Sequence, residues 1–84
     1  MKYAESAFDH GFTEEEIDLV VCEGAMVKMA TPSDKGFDRA MFVGKVYTRA
    51  FPIEVGVEYR DDDDYAFHAM KATKYYIKET GYGE

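Results

Sequence analysis

The sequence is poor in the residues on which several classes of function depend. It has no tryptophan, a single cysteine, Cys22, and ten Lys and Arg against 17 Asp and Glu, which gives a net charge of −7. One cysteine excludes a disulfide within the chain, and one thiol with a distant histidine is no metal signature. So few cations argue against tight general binding of nucleic acid, because Lys and Arg must replace the counterions of phosphates.

Long apolar runs are missing as well. Residues 1–11 lack the apolar stretch of a signal peptide, and no run approaches the roughly 20 apolar residues that cross a bilayer. The sequence therefore predicts a cytoplasmic protein with no membrane contact. Its length predicts one small domain over 1–84, in which 80–84 form a flexible tail, and a hydrophobic content of 46% is enough for a core.

The clearest local signal is the start of a helix at Thr13. Its hydroxyl can cap free backbone amides, and the side chain of Glu16 can reach back to the Thr13 amide, which makes a capping box. The apolar stripe that follows stops at Gly24, so we predict a helix over 14–23. A shorter helix is predicted over 2–9.

Beyond this helix the apolar residues repeat with a period of two. The sequence predicts strands over 26–31, 39–48, 53–60 and 65–70, and a last helix over 72–79. In the third strand Ile, Val, Val and Tyr alternate with Glu, Gly, Glu and Arg, which is typical of one buried and one wet face. The order ααββββα predicts an α+β fold with an antiparallel four-stranded sheet and helices packed on one face.

Four consecutive aspartates, 61–64, raise the question of a metal site. A calcium loop needs oxygen ligands at alternating positions and a glycine at its sharp bend, and this run has neither. We therefore interpret the run as a solvated turn. The sequence predicts no metal and no cofactor.

The two histidines support different interpretations. His10 stands before Gly11, where an imidazole can bond the carbonyls that end the first helix. His68 lies within the fourth predicted strand and is the candidate general base, because the unperturbed pKa of an imidazole, about 6.5, is near working pH. The sequence identifies no carboxylate partner for it.

Four cations are candidates for binding phosphate: Arg39, Arg60, Lys71 and Lys74. They converge on one concave patch if the arginines point to the polar side of neighbouring strands and the lysines lie on the helix that follows. The alternative is that the arginines pair with Glu54 and Glu58 across the sheet, at about 0.2 to 1 kcal/mol for each pair.

Four segments together suggest a family resemblance. The segment 9–17, DHGFTEEEI, is similar to a helix junction that commonly reads KHG, an apolar residue, Ser or Thr, and acidic residues. The apolar run 39–44, from Arg to Gly, the strand 53–57, and the segment 67–73, FHAMKAT, follow in the matching order. In this order they resemble the BrnT-like toxins of type II toxin–antitoxin systems, whose closing segment reads SAR, a basic residue, then AT.

The resemblance implies a RelE-like ribonuclease fold and a metal-independent RNA endonuclease that inhibits translation. By position, the catalytic residues would be His68, Arg60 and Lys71, while Arg39 and Lys74 would bind the phosphates of RNA. The family more often has serine at the position of this histidine. The alternative function is a non-catalytic protein-interaction module that keeps the fold and the partner-binding face.

The resemblance also implies a basic antitoxin that covers the active face, and the charge pattern favours such a partner. Residues 1–24 carry seven acids against one lysine, whereas 65–78 carry three lysines and no acid. We expect the helix surface around Glu14, Glu15 and Asp18 to steer a positively charged partner, because charges of this kind act mainly on the rate of association.

Overall fold

A computed structural model describes residues 1–83 as a five-stranded mixed sheet with two α-helices and one 3-10 helix. The strands are β1 Lys2–Tyr3, β2 Ala25–Lys28, β3 Asp38–Gly44, β4 Ile53–Tyr59 and β5 Asp64–Lys71. The helices are the 3-10 helix Glu5–Phe8, α1 Glu14–Glu23 and α2 Lys74–Thr80. The strand order is β1-β5-β4-β3-β2, in which only the β1–β5 pair is parallel.

The predicted helix over 2–9 is wrong. Lys2–Tyr3 pair with β5 as an edge strand, and the backbone amide of Ala4 donates to the Ala66 carbonyl at 2.8 Å. Only Glu5–Phe8 are helical, as a single 3-10 turn. An isolated helix of this length is marginal in water, whereas the edge of β5 offers unpaired backbone groups, so pairing with the sheet replaces the helix. The sheet is therefore five-stranded and mixed, not four-stranded and antiparallel.

The predicted helix over 14–23 and its capping box are confirmed. The amide of Glu16 donates to Thr13 Oγ1 at 3.2 Å, and the Thr13 amide donates to Glu16 Oε1 at 3.0 Å. The helix ends at Gly24, where an added Cβ would lie 2.4 Å from the Val20 carbonyl oxygen and 2.7 Å from that of Val43. Only glycine allows the end of α1 to approach β3 so closely.

The prediction that the helices pack on one face is also wrong. Because neighbouring residues of a strand face opposite sides, Val55 and Glu54 belong to different faces of β4. The α1 side chains Ile17 and Val20 share a buried cluster with Val55, while Thr73, the N-cap of α2, hydrogen-bonds to Glu54. The two α-helices therefore lie on opposite faces of the sheet.

The face of β4 that was predicted to be wet is also buried. Glu54 is 2% exposed and Glu58 is 8% exposed, and Gly56 between them is buried. Met41 and Val43 of the neighbouring strand, on the same face, are buried too. Two glutamates are therefore held inside the protein, where each needs a hydrogen-bonding partner.

The core on the α1 side is continuous from the 3-10 helix to β5. It consists of Ala7, Phe12, Ile17, Val20, Ala40, Phe42, Val46, Ile53, Val55, Val57, Ala66 and Ala69. No helix within residues 1–83 has the length and apolarity required to cross a membrane.

The chain end predicted as a flexible tail over 80–84 is described as far as residue 83. Thr80 belongs to α2, and Gly81 closes the helix with a left-handed φ of 72°. The amide of Tyr82 then donates to the Ile77 carbonyl at 3.1 Å. Residue 84 lies outside the described residues.

Candidate active site

A bulge in β5 places His68 on the same face as Glu54. The β4–β5 register pairs Gly56 with His68 and Val57 with Ala66, which leaves Phe67 without a partner strand residue. Its ring lies over Gly56, where an added Cβ would come within 2.6 Å of the ring. The bulge therefore turns both Phe67 and His68 towards the α2 face, away from the core alanines that flank them.

His68 has the carboxylate partner that the sequence did not reveal. Its Nε2 lies 2.8 Å from Glu54 Oε2. The other oxygen, Oε1, accepts hydrogen bonds from the backbone amide and the hydroxyl of Thr73, both at 2.8 Å. The Glu54 side chain is 3% exposed and that of His68 is 30% exposed, so the imidazole connects a buried carboxylate with solvent.

This arrangement assigns the protons of the imidazole. An ionised carboxylate only accepts hydrogen bonds, so Nε2 of His68 carries the proton that it shares with Glu54. In the neutral ring Nδ1 then keeps its lone pair. An imidazole oriented in this way by a carboxylate can accept a proton at its second nitrogen.

Arg39 lies on the same face, on the other side of β4. Its guanidinium is 5.4 Å from the centroid of the Phe67 ring, and Nη2 donates to the carbonyl of Pro32 at 3.2 Å. Its Nε is buried and has no hydrogen-bond partner within residues 1–83. Arg39, Arg60 and Lys35 line a common cavity of about 280 Å³. The structure thus brings together the two arginines predicted from the sequence.

Arg60 is more strongly paired than Arg39. Its Nε donates to Glu58 Oε2 at 2.5 Å, and its guanidinium lies 4.1 Å from the centroid of the Tyr65 ring. The bond to Glu58 raises the pKa of Arg60 above its usual value. Arg39 stands opposite Glu58 in the sheet without an ion pair to it within residues 1–83. The alternative of pairing with glutamate across the sheet is therefore found for neither arginine within residues 1–83, since Arg60 bonds to Glu58 two residues before it in the chain.

The two lysines predicted at the site lie apart from each other, and only Lys74 is near His68 and Glu54. Lys71 pairs with Ile53, which faces the α1 side, and its Nζ lies 5.3 Å from the centroid of the Phe51 ring. It therefore faces away from His68. Lys74 is exposed at the first residue of α2, directly after Thr73, and so lies beside the Glu54 network.

Tyr76 is a member of this face that sequence reasoning missed. Burial raises the pKa of Tyr76, neighbouring Tyr75 and Glu54 raise it further, and Arg39 opposes them. The charges of Glu54 and Arg39 therefore both act on the Tyr76 hydroxyl. The only sequence signal was its place three residues after the helix N-cap Thr73, which does not specify the face that it contacts.

His10 has a different environment from the one predicted. The carbonyl of Phe8 accepts a hydrogen bond from the Gly11 amide at 3.2 Å, so the backbone itself closes the 3-10 turn. The imidazole of His10 is exposed, and its ring centroid lies 6.5 Å from that of His68.

The first three aspartates of the run lie in the connection between β4 and β5, and Asp64 is the first residue of β5. Asp62 Oδ2 accepts hydrogen bonds from the Tyr65 hydroxyl at 2.8 Å and from Lys2 Nζ at 3.2 Å. The Tyr65 and Lys2 bonds lower the pKa of Asp62. Across the described part of the chain, no three His, Cys, Asp or Glu side chains form a group that could hold a metal ion.

A second concave surface lies on the α1 side of the sheet. It has a volume of about 560 Å³ and is lined by α1 and by the connection between β3 and β4. Leu19 and Val46 contribute apolar side chains to its lining, and Glu15 contributes a carboxylate. Tyr47, which also lines it, is 93% exposed. We refer to this surface as the α1 cleft.

Comparisons with known proteins gave no match. This holds for protein-family models, for curated proteins and for solved structures. The proposals that follow therefore depend on the residues of this chain and their geometry.

Proposed function

We propose that the chain is a metal-independent RNA endonuclease that acts in the cytoplasm as the toxin of a type II toxin–antitoxin system. The observation that carries the proposal is the hydrogen bond between His68 and the buried Glu54, on the face that also holds Arg39. A general base and a cation on one face are two of the groups that RNA cleavage without a metal uses.

The chemistry uses the 2′-hydroxyl of the RNA itself. Nδ1 of His68 takes the proton of this hydroxyl while its oxygen attacks the adjacent phosphorus. The bond from phosphorus to the 5′-oxygen breaks, and this oxygen takes up a proton from a general acid. The products are a 2′,3′-cyclic phosphate and a 5′-hydroxyl. Arg39 and Lys74 neutralise the charge that develops on the phosphorane, a role in which one lost donor costs about 100-fold or more in rate.

The acidic net charge does not prevent this role, because the acids that form ion pairs are bound to cations other than Arg39 and Lys74. Lys2, Lys28 and Arg49 form ion pairs with Asp62, Asp38 and Glu16. Over residues 1–83, Arg39 and Lys74 form no such pair. Arg39 and Lys74 therefore keep their charge available to a phosphate.

The purified chain is expected to cleave single-stranded RNA in the presence of EDTA. The 5′ fragments should end in a 2′,3′-cyclic phosphate, which gel electrophoresis with and without acid treatment distinguishes from a linear phosphate. Raising the salt concentration should weaken cleavage at subsaturating RNA, because phosphate contacts depend on counterion release.

The matched control is the same RNA with a single 2′-deoxy residue at the cleaved position, which should resist. Cleavage of this control, or loss of activity on adding EDTA, would contradict the mechanism. If no RNA is cut and messenger RNA stays intact when the protein is induced in cells, the chain is the interaction module and not a nuclease.

We also propose that a basic antitoxin binds the α1 cleft, on the opposite side of the sheet from His68 and Arg39, and does not cover the active face as the resemblance implies. Glu14, Glu15 and Asp18 are exposed along α1 beside the cleft, and they supply negative charge next to the exposed ring of Tyr47. Such a surface suits a positively charged segment that carries an apolar or aromatic anchor. Charge then governs the rate of encounter, and the apolar contact governs the lifetime of the complex.

The test uses a basic protein that co-purifies with the chain from the native host. We expect Glu15→Lys to lower the association rate constant with this protein about tenfold. Surface plasmon resonance measures the two rate constants, and only the association rate should respond strongly. The matched control is Asp61→Lys, the same charge reversal in the exposed β4–β5 turn. An equal effect of both variants would place the contact elsewhere, and recovery of no small basic protein would remove this partner.

A further inference from the structure

The fold brings the two histidines of the chain together. His10 precedes α1 and His68 lies in the last strand, yet their ring centroids are 6.5 Å apart and the rings meet edge to face at 74°. His68 is anchored on the buried carboxylate of Glu54, whereas His10 is exposed. The pair therefore presents one oriented imidazole and one solvent-accessible imidazole at a single position.

The backbone next to His10 is held from several sides. Gly11 has a φ of +82°, a conformation that side chains rarely adopt, and its carbonyl accepts a hydrogen bond from Arg49 Nη2 at 3.0 Å. Phe12 is 5% exposed and lies beneath the Arg49 guanidinium, 4.6 Å from ring centroid to Cζ. His10 is thus positioned by a fixed turn next to buried core, and its place beside His68 is set by the fold.

The fold itself makes little use of the His10 side chain. Within residues 1–83 its ring has neither a hydrogen bond nor an ion pair, and Gly11 closes the preceding turn through its backbone. A solvent-exposed histidine with no structural bond is available to exchange protons with water and with a ligand.

We infer that His10 is the general acid of the RNA cleavage reaction, an inference that depends on the proposed ribonuclease function. As Nδ1 of His68 takes the proton of the 2′-hydroxyl, protonated His10 gives its proton to the 5′-oxygen as the bond to phosphorus breaks. Each nitrogen must come within about 3 Å of its oxygen. The ring centroids are 6.5 Å apart, so a phosphate group bound on the exposed side of the pair lies beside both imidazoles. Exchange with water then returns both histidines to their starting states.

The experiment compares two substrates that differ only in the leaving group. When a ribodinucleotide is cleaved, the leaving group is a 5′-alkoxide, which needs a proton. When uridine 3′-(p-nitrophenyl phosphate) is cleaved, the leaving group is p-nitrophenolate, which is stable without a proton. His10→Ala is expected to lower the rate on the dinucleotide about 100-fold and to change the rate on the aryl ester less than about threefold. His68→Ala should lower both rates, since both substrates need the general base.

Asp9→Asn in the same exposed turn is the matched control and should leave both rates unchanged. An equal loss on both substrates would show that His10 only supports the structure, and no loss on either would show that it has no role; each result overturns the inference while the ribonuclease remains. If the unmodified chain cleaves neither substrate, the proposed function itself fails. Thermal unfolding of each variant verifies that the fold is retained.

Discussion

We expect His68→Ala to reduce the rate constant of RNA cleavage by at least about 100-fold at saturating RNA, while the affinity for RNA changes little. The reason is that the imidazole acts on the proton of the 2′-hydroxyl in the transition state, and general base catalysis typically contributes 10²- to 10⁴-fold, roughly. Arg39 and Lys74, which bind the phosphate, remain in this variant. Single-turnover kinetics on a 5′-labelled RNA separates the two effects.

Glu54→Gln tests whether the carboxylate orients the imidazole. A glutamine can accept the Thr73 hydrogen bonds through its oxygen, which leaves its amide group as a donor towards Nε2 of His68. The imidazole must then accept at Nε2 and carry its proton at Nδ1, where it cannot take the proton of the hydroxyl. The rate is therefore expected to fall by about 100-fold with the shape of the side chain preserved.

The matched control for this substitution is Glu23→Gln, the same change at an exposed position of α1. Urea unfolding of each variant shows whether a lower rate reflects a lower folded fraction. If Glu54→Gln cleaves RNA at the unmodified rate while His68→Ala does not, the histidine acts without the carboxylate. If both variants retain the full rate, His68 is a structural residue.

The second large effect concerns the stability of the fold in acid. Glu16 is 7% exposed and binds Arg49 through two bonds, from Nε at 2.7 Å and from Nη2 at 3.0 Å. The hydroxyl of Thr48 donates to it at 2.7 Å, and Thr13 donates from its amide. The Arg49 bonds, helped by Thr13 and Thr48 and opposed by burial, lower the pKa of Glu16 to about 2.

A carboxyl whose pKa is lower in the folded state stabilises the fold above its unfolded pKa, which is about 4.3 for glutamate. This stabilisation is complete at neutral pH and is lost as the pH falls from about 4.3 through the folded value of about 2. Glu16→Gln should therefore lower the free energy of unfolding by about 2 kcal/mol at pH 7, because charge-assisted bonds to Arg49 are lost.

Urea unfolding at a series of pH values measures this difference. The gap between the unmodified chain and Glu16→Gln should narrow steadily below about pH 4.3. The neighbouring substitution Glu15→Gln is the control, since the Glu15 side chain is exposed and forms no ion pair within residues 1–83. A gap that is independent of pH would mean that the variant disturbs packing and that the ionised carboxylate contributes little.

Local features of the sequence were enough to locate several elements. The helix over 14–23 was predictable because its capping box joins Thr13 to Glu16, which are close in the chain, and because Gly24 ends it. The alternation of apolar residues in 53–59 predicted a strand, since a strand turns successive side chains to opposite sides. The predicted strands over 39–48 and 65–70 likewise overlap β3 and β5.

The composition of the candidate site was decided by contacts between distant segments. His68, Arg39 and Arg60 were selected from the sequence as site residues, and they lie on the α2 face. Glu54, the partner of His68, was assigned to a wet face, because alternation predicts two faces of a strand and does not reveal which later segments cover the second one. Phe67, whose ring lies over Gly56, covers part of this face, and His68 and Thr73 bond to Glu54 there.

By itself, then, the sequence determined the elements whose signals lie within a few residues, together with the excess of acid around α1. Only the tertiary structure decided that residues 2–3 join the sheet, because the open edge of β5 is made by the other end of the chain. It also decided which way His68 faces. Strict alternation would turn His68 to the same side as Ala66, and the bulge at Phe67 reverses this, because one unpaired residue shifts every later side chain to the opposite face.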